Sequence, residues 1–220
     1  MFTCHPVEKP YLIFQVGSAD PELAVQAARV VVDDVSGIEL NCGCPKPFST
    51  HAGMGAALLT NPDLLCSILS ALRRELPPRV SVSAKIRLLP TQEDTLALVK
   101  RIVSTGVNCL TIHCRTRNMR PRERALIYRL KEIVDFIRGL GCDVAIIENG
   151  DCVGFENARQ IRAITGADSV MIATAAEANP TVFSPTPLTS VEDTFILPYI
   201  RLVCPPARAL SPFSHYDITG

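Results

Sequence analysis

The chain has 220 residues and a mass of 23.9 kDa, and 47% of its residues are hydrophobic. A chain of this length and composition can bury a substantial core, which excludes an intrinsically disordered protein. Its 22 basic and 22 acidic residues balance, so any affinity for nucleic acid must come from the local arrangement of basic residues and not from net charge.

The sequence indicates neither a membrane segment nor a disulfide framework. It contains no apolar run of about 20 residues, and residues 1–6 resemble neither a signal peptide nor a transit peptide. Its nine cysteines form an odd, irregularly spaced set without a Cys-x-x-Cys pair, which argues against disulfides and against a zinc site. We therefore expect an intracellular protein, cytoplasmic or nuclear, with no membrane contact and no metal.

Short runs of β-branched and other apolar residues alternate with longer amphipathic stretches. The short runs predict six strands, at residues 11–17, 37–43, 82–89, 109–115, 144–151 and 169–174. The amphipathic stretches, whose apolar residues recur every three or four positions, predict five helices, at residues 20–34, 61–76, 92–106, 124–141 and 155–168. Strands that are apolar almost throughout and are each followed by a helix indicate a parallel sheet buried on both faces.

Two α/β architectures fit this alternation, a doubly wound sheet and a (β/α)8 TIM barrel. Polar side chains at the C-terminal ends of the strands favour the barrel, because a barrel gathers these ends at one mouth. They are Gln15, Asn41, Lys85, Arg87, His113, Arg115, Asn149 and Gly150. We predict an incomplete TIM barrel of about six βα units over residues 1–202. Residues 203–220 are proline-rich and aperiodic, which predicts a divergent, irregular tail.

Several motifs follow one another along this framework. They are ELNCGCPK (39–46), SAKIR (83–87), LTIHCRTR (110–117), IIENGD (146–151) and SVMIATAAEANPTVF (169–183). From about Glu8 to about Leu202 the sequence resembles the tRNA-dihydrouridine synthases, in particular the eukaryotic class that acts on position 20 of tRNA, with the N-terminal part of the family missing. The Asn-x-Gly-Cys-Pro signature is the most specific of these motifs.

The resemblance implies FMN-dependent reduction of uridine in tRNA to 5,6-dihydrouridine, with NADPH as the reductant. Saturating the C5–C6 bond of uracil requires a hydride at one carbon and a proton at the other. In the family, reduced flavin supplies the hydride and a cysteine supplies the proton, and Cys44 matches that catalytic position. A thiol with an ordinary pKa of about 8.5 is protonated at neutral pH and can serve as a general acid. Cys42 occupies a variable position of the motif, and we expect it to be structural.

The resemblance also assigns the other site residues. The cofactor-binding residues that it implies are Gln15, Lys85, His113, Asn149, Gly150, Ala173 and Thr174. It implies substrate contacts for Asn41, Arg87 and Arg115. The arginine-rich run 115–124 at the presumed mouth favours contact with tRNA phosphates. We expect tRNA as the partner, with no metal and no obligate protein partner.

Three positions depart from the family pattern, and one of them is Asp151, which stands where the family often has glycine. Thr174 stands where the family has arginine beside the flavin phosphate, and a hydroxyl lacks the charged, two-pronged contact of a guanidinium, so we expect weaker phosphate binding. Cys114 replaces a glycine. Two alternatives stay open: a different flavin barrel that reduces a small enone, and an inactive fragment of the synthase that no longer binds flavin.

Overall fold

The computed structural model describes residues 2–120, 122–190, 196 and 198–200. Its strands are β1 (Ile13–Val16), β2 (Gly37–Asn41), β3 (Ser81–Leu88), β4 (Cys109–Thr116), β5 (Ala145–Asn149) and β6 (Ser169–Met171). Its helices are α1 (Pro21–Val31), α2 (Pro47–His51), α3 (Pro62–Glu75), α4 (Gln92–Val103), α5 (Ile127–Gly139), α6 (Phe155–Thr165) and α7 (Thr174–Ala178). Short 3-10 helices lie at Lys9–Tyr11, Gly55–Thr60 and Pro180–Phe183.

The six strands form one parallel sheet in which they lie side by side in chain order. A doubly wound sheet reverses its strand order at a switch point, whereas a TIM barrel adds each strand beside the one before it. The order observed here confirms the predicted incomplete barrel, which is curled like half of a complete one. The register places Asn41 beside Lys85, Arg87 beside His113, and His113 beside Asn149.

Three of the long helices, α1, α3 and α4, begin where a side chain satisfies their first backbone N–H groups. Asp20 accepts hydrogen bonds from two N–H groups at the start of α1, and Asn61 and Thr91 do the same for one N–H group each at the starts of α3 and α4. Proline follows the cap in α1 and α3, at a position where its missing N–H costs nothing. The sequence thus defines the starts of these three helices locally, whereas α5 and α6 begin without a side-chain cap.

The two faces of the sheet differ in polarity. On β3 the buried residues Val82, Ala84, Ile86 and Leu88 alternate with the more polar positions 81, 83, 85 and 87, because successive side chains of a strand point to opposite faces. The apolar face belongs to the buried hydrophobic core that the long helices share. The other face therefore presents polar side chains towards the inside of the curl.

Several details of the predicted elements were wrong. The last predicted strand is shorter than expected, because Thr174 already begins α7, and the predicted helix at 124–141 begins only at Ile127. The sequence analysis missed α2, α7 and the 3-10 helices, which are too short to show a periodic pattern. The predicted tail at 203–220 lies outside the described residues. None of the described helices has the length and hydropathy that crossing a membrane requires.

One buried cation connects α5 to the turn between β3 and α4. Arg129 is only 9% exposed, and its guanidinium donates to Gln92 Oε1 at 2.6 Å, to the Leu89 carbonyl oxygen at 3.0 Å and to the Thr91 carbonyl oxygen at 2.7 Å. It also donates to Thr95 Oγ1 at 3.1 Å. The planar fork of the buried Arg129 side chain thus donates to several partly buried acceptors.

We expect Arg129→Leu to lower the free energy of unfolding by about 2–5 kcal/mol, because it removes several charge-assisted hydrogen bonds to partly buried acceptors. Lys131→Leu, a change of an exposed cation on the same helix, is the control and should cost less than about 1 kcal/mol. Urea unfolding followed by circular dichroism measures both changes. Equal losses for the two variants would contradict the role given to Arg129.

Candidate active site

The inward-facing side chains meet at the C-terminal ends of the strands. A pocket of about 160 Å³ is lined by Gln15, Asn41, Gly43, Cys44, Lys85, Arg87 and His113. A second pocket of about 920 Å³ shares Arg87 and His113 with it and continues along the loops after β4, β5 and β6. Arg115, Asn149, Gly150, Ala173 and Thr174 line this second pocket. The structure therefore brings every predicted site residue to one continuous mouth, while the individual roles stay predictions.

The loop that carries Cys44 is held on two sides. The Asn41 side chain accepts hydrogen bonds from the backbone N–H groups of Gly43 at 3.1 Å and of Cys44 at 3.0 Å. From the other side, the backbone N–H of Ala56 donates to the Cys44 carbonyl oxygen at 2.9 Å. Gly55 has a φ of +60°, and a Cβ there would lie 2.6 Å from that same oxygen. Glycine is therefore needed behind Cys44, which accounts for part of the Gly-Met-Gly sequence.

The two cysteines of the motif have different surroundings. Cys42 is completely buried, its thiol donates to the Leu40 carbonyl oxygen at 3.6 Å, and burial raises its pKa well above the ordinary value. Cys44 is half-buried and lines the smaller pocket. A molecule in the pocket can thus contact Cys44, whereas Cys42 is part of the core.

Two cations of β3 enter the mouth from the same face. Lys85 Nζ donates to Asn149 Oδ1 at 2.8 Å, and Arg87 Nε donates to the Gly43 carbonyl oxygen at 2.7 Å. Burial lowers the pKa of both side chains, and the negative charge of Glu39 opposes the shift at Lys85. Partly desolvated cations of this kind favour a ligand that carries or develops negative charge.

His113 is a neutral member of the site. Burial, together with the positive charges of Arg87, Lys85 and Arg115, lowers its pKa to about 3. Its Nε2 lies 3.3 Å from Arg115 Nη1. A guanidinium can only donate, so Nε2 accepts and the ring proton lies on Nδ1. At neutral pH His113 can orient a ligand by hydrogen bonding, but it cannot act as an acid.

Arg115 is buried, whereas a side chain that contacts substrate at the surface would be exposed. It is 6% exposed, forms an ion pair with Asp151 and donates through Nε to the Glu123 carbonyl oxygen at 2.7 Å. Asp151, which has a φ of +60°, also accepts from the Ala125 backbone N–H at 2.7 Å. Burial would raise the pKa of Asp151, but these two partners outweigh it and lower the pKa. Arg115 thereby ties the loop after β4 to the loop after β5.

The second pocket has few cations along the loops after β5 and β6. Among the described residues that line it, the cations are Lys46, Arg87 and Arg115, and Arg115 already pairs with Asp151. Thr174 starts α7, a helix of only five residues. Asn149 joins the two pockets, because it accepts from Lys85 and donates through Nδ2 to the Met171 carbonyl oxygen at 3.4 Å. No group of three or more metal-binding side chains occurs in the described part of the chain.

Two buried carboxylates, Glu39 and Glu148, were not predicted as part of the site. Glu39 is 7% exposed and accepts from Gln15 Nε2 at 2.6 Å and from Thr111 Oγ1 at 3.2 Å. Glu148 is fully buried, and within the described residues neither of its carboxylate oxygens has a hydrogen-bond partner. Burial raises the pKa of Glu148 to about 8. An acidic residue inside an apolar strand run, as in GIELN and AIIEN, was the available signal for both.

The model of the family "Dihydrouridine synthase (Dus)" matches residues 1–205. The chain belongs to this family. Two of the relatives described next are named tRNA-dihydrouridine(20) synthases, so the resemblance read from the sequence is confirmed.

The relatives include proteins from yeasts and from human. The chain is 54% identical over 185 residues to the tRNA-dihydrouridine(20) synthase of Schizosaccharomyces pombe, covering 83% of this chain and 38% of that protein. It is 45% identical to the tRNA-dihydrouridine(20) synthase of Saccharomyces cerevisiae, covering 84% and 50%, respectively. It is 34% identical to a human tRNA-dihydrouridine(20a/20b) synthase-like protein, covering 87% and 60%. This Dus chain thus spans about two fifths to three fifths of the length of these relatives.

Solved structures agree with the fold of the Dus chain. A putative phosphonomutase from Burkholderia cenocepacia aligns with a TM-score of 0.56 at 16% identity, covering 80% of this chain and 75% of that chain. DHODH from Eimeria tenella, crystallised with ferulenol, aligns with a TM-score of 0.53 at 16% identity, covering 71% and 49%. At this level of identity the likeness concerns the fold alone.

The raised pKa of Glu148 predicts that the stability of the folded chain depends on pH. Its pKa in the folded chain, about 8, exceeds the ordinary value of 4.5, so the folded state holds the proton more tightly than the unfolded state does. The stabilisation linked to this proton is complete below pH 4.5 and is lost as the pH rises through 8. Glu148→Gln, which mimics the protonated acid, should therefore gain about 2–4 kcal/mol of stability over the unmodified chain between pH 5 and pH 9.

Urea unfolding at several pH values measures this difference. Glu132→Gln, at an exposed position of α5, is the matched control and should show no such gain. A Glu148→Gln curve that runs parallel to that of the unmodified chain would show that Glu148 is ionised throughout this range.

Proposed function

We propose that this Dus chain contributes the catalytic site of a tRNA-dihydrouridine synthase, which reduces uridine in tRNA to 5,6-dihydrouridine with FMN as cofactor and NADPH as reductant. The observation that carries the proposal is the convergence of the Cys44 thiol with Asn41, Lys85 and Arg87 on one pocket at the barrel mouth. The names of the yeast relatives, which specify position 20 of tRNA and NAD(P)+, support the substrate and the reductant.

The polar groups at the mouth suit the ring of FMN. The amide side chains of Gln15, Asn41 and Asn149 offer donors and acceptors for the ring edge, and Lys85 offers a cation that burial has partly desolvated. The larger pocket, at about 920 Å³, is within the range of about 300–1,000 Å³ that ligand sites occupy. Gln15, Lys85, His113 and Asn149 would hold the ring end of the cofactor.

The phosphate end of FMN has weaker support from side chains. Gly150, Ala173 and Thr174 line this part of the pocket, so backbone N–H groups and the Thr174 hydroxyl are the donors available there. Backbone donors of loops after the last strands bind phosphate in other TIM barrels. The residues therefore fit the cofactor, with a neutral contact where a guanidinium would bind more tightly.

When bound and reduced, FMN would supply the hydride that uracil C6 receives, with NADPH as the source of the electrons. The residues of this chain carry the remaining steps. The Cys44 thiol donates a proton to uracil C5, so that the C5–C6 double bond becomes a single bond. Asn41 fixes the Cys44 backbone and contacts the uracil edge. Arg87 stabilises the negative charge that develops on the uracil oxygen as the hydride arrives.

The basic run provides the proposed contact with tRNA. Arg117, Arg120, Arg122 and Arg124 are exposed in the loop after β4, beside the larger pocket. Lys and Arg side chains at the rim of such a site bind the phosphate backbone without reading its sequence. Arg115 holds the start of this loop in place through its ion pair with Asp151.

The absorbance spectrum of the purified chain tests the proposal first. Bound FMN gives a visible absorption band, which NADPH should bleach and uridine-containing tRNA should restore. A simple enone, offered in place of tRNA, is the competing substrate. Purified, folded chain that binds no added FMN would contradict the proposal, as would turnover of the enone without any turnover of tRNA.

The role of Cys44 has a direct test. We expect Cys44→Ala to keep FMN and its reduction by NADPH, but to form dihydrouridine at least about 100-fold more slowly, because it removes the general acid. Cys42→Ala, which alters a buried thiol of the same motif, is the matched control and should retain activity. Dihydrouridine in tRNA is measured by mass spectrometry of nucleosides. Loss of activity in Cys42→Ala alone would show that Cys44 is the wrong thiol.

The phosphate end has a gain-of-affinity test. We expect Thr174→Arg to tighten FMN binding by about 1.5–3 kcal/mol, because a guanidinium can form a charged, two-pronged contact with the phosphate. Titration of the flavin fluorescence gives the dissociation constant. Thr186→Arg, which adds the same charge at an exposed position away from the pocket, controls for a general electrostatic effect. The same dissociation constant in both variants would show that the phosphate binds elsewhere.

A further inference from the structure

We propose that Glu39 is a positioning residue, which sets the direction of a chain of hydrogen bonds that ends at the backbone N–H of Cys44. This inference rests on the proposed function, because it concerns how the proton donor is held. Glu39 does not contact the reacting atoms. It acts through Gln15 and Asn41, the two amide side chains that lie between it and the Cys44 loop.

The chain of hydrogen bonds is continuous. Gln15 Nε2 donates to Glu39 Oε1 at 2.6 Å, and Asn41 Nδ2 donates to Gln15 Oε1 at 2.8 Å. Asn41 Oδ1 then accepts from the backbone N–H groups of Gly43 at 3.1 Å and of Cys44 at 3.0 Å. We call this set of four hydrogen bonds the amide relay.

The two ends of the amide relay determine its direction. Both oxygens of the Glu39 carboxylate accept hydrogen bonds here, so Gln15 turns its NH2 group towards Glu39 and its oxygen towards Asn41. A backbone N–H can only donate, so Asn41 must turn its oxygen towards Gly43 and Cys44 and its NH2 group towards Gln15. Both ends require the same orientation of both amides. One arrangement therefore satisfies every member, and the Cys44 loop has a single preferred position.

Two further contacts explain why a carboxylate can occupy this place. Thr111 Oγ1 donates to Glu39 Oε2 at 3.2 Å, so both oxygens of the 7%-exposed carboxylate have a donor. The neighbouring Lys85, whose pKa burial lowers, is kept nearer its ordinary pKa by the charge of Glu39. Glu39 thus both stabilises the charge of Lys85 and accepts the first hydrogen bond of the amide relay.

Exchanging the two polar groups tests the direction of the relay. Gln15→Glu alone places a second carboxylate against Glu39, so the first hydrogen bond of the relay is lost. Adding Glu39→Gln restores it, because an amide at position 39 can donate to a carboxylate at position 15, and that carboxylate still accepts from Asn41. Glu39→Leu removes the acceptor without adding charge. Ser83→Ala is the control, since Ser83 pairs with Glu39 in the strand register but donates to the Ile38 carbonyl oxygen.

Amide hydrogen exchange of the 220-residue chain, read by mass spectrometry in a peptide covering residues 40–46, reports the two N–H groups that Asn41 binds. We expect exchange about tenfold faster in Gln15→Glu and in Glu39→Leu, and within about threefold of the unmodified chain in the double variant and in Ser83→Ala. If Gln15→Glu does not fold, Glu39→Leu and the double variant supply the same comparison. Equal exchange in all variants, or a double variant that exchanges as fast as Gln15→Glu, overturns the proposal.

Uridine reduction provides the second measurement. With FMN saturating, we expect dihydrouridine formation to fall about tenfold in Glu39→Leu and to stay within about threefold of the unmodified chain in Ser83→Ala, because Glu39→Leu loosens the placement of the proton donor. An unmodified chain that binds FMN but reduces no uridine would refute the proposed function. The exchange rates would then decide alone whether the amide relay holds the Cys44 loop.

Discussion

The opposite orientation of successive side chains along a strand is the constraint on which this molecule depends. On β3 it sends Val82, Ala84 and Ile86 into the core and sends Lys85 and Arg87 to the inner face of the curled sheet. A slip of one residue in the register would exchange the two sets, placing cations among the helices and apolar side chains at the mouth. The core that stabilises the sheet therefore also fixes which side chains reach the pocket.

This constraint explains why much of the site could be predicted from the sequence. A polar residue at the end of an apolar run, such as Asn41 or His113, has a position that the strand alone determines. Lys85 and Arg87 share a face because they are two residues apart. The choice of Cys44 over Cys42 depended on the motif, and the burial of Cys42 agrees with it.

The remaining features depend on partners that are distant in the chain. The ion pair of Arg115 with Asp151 joins residues 36 apart, and the hydrogen bond between Arg129 and Gln92 joins residues 37 apart. Neither partner follows from the period of a helix or strand. The run of five arginines was interpreted as one basic surface, but Arg115 is buried, whereas Arg117 is exposed. Glu39 and Glu148 were overlooked because each lies within a run of apolar residues, which dominates the pattern.

The electrostatics of the mouth follow from the same geometry. Lys85, Arg87 and Arg115 bring three positive charges close together, and their combined field helps to keep His113 neutral. Asp151 balances Arg115, and Glu39 lies near Lys85. Arg87, by contrast, donates to the carbonyl oxygens of Gly43 and Thr116, which carry no formal charge. The excess positive charge therefore lies at Arg87, between the two pockets, where an anionic ligand gains most from it.

The order of the strands also has a consequence for how the chain acquires its structure during synthesis. Each strand pairs with the one that precedes it in the chain, so the sheet can grow from its N-terminal edge as the ribosome releases successive βα units. The contacts that Asn41 and Ala56 make with Cys44 lie within β2 and the loop after it, and Arg87 adds its contact with Gly43 once β3 has emerged. Lys85, however, meets Asn149 only after 64 further residues have been added. The nascent chain thus carries its thiol in place well before the site around that thiol is finished.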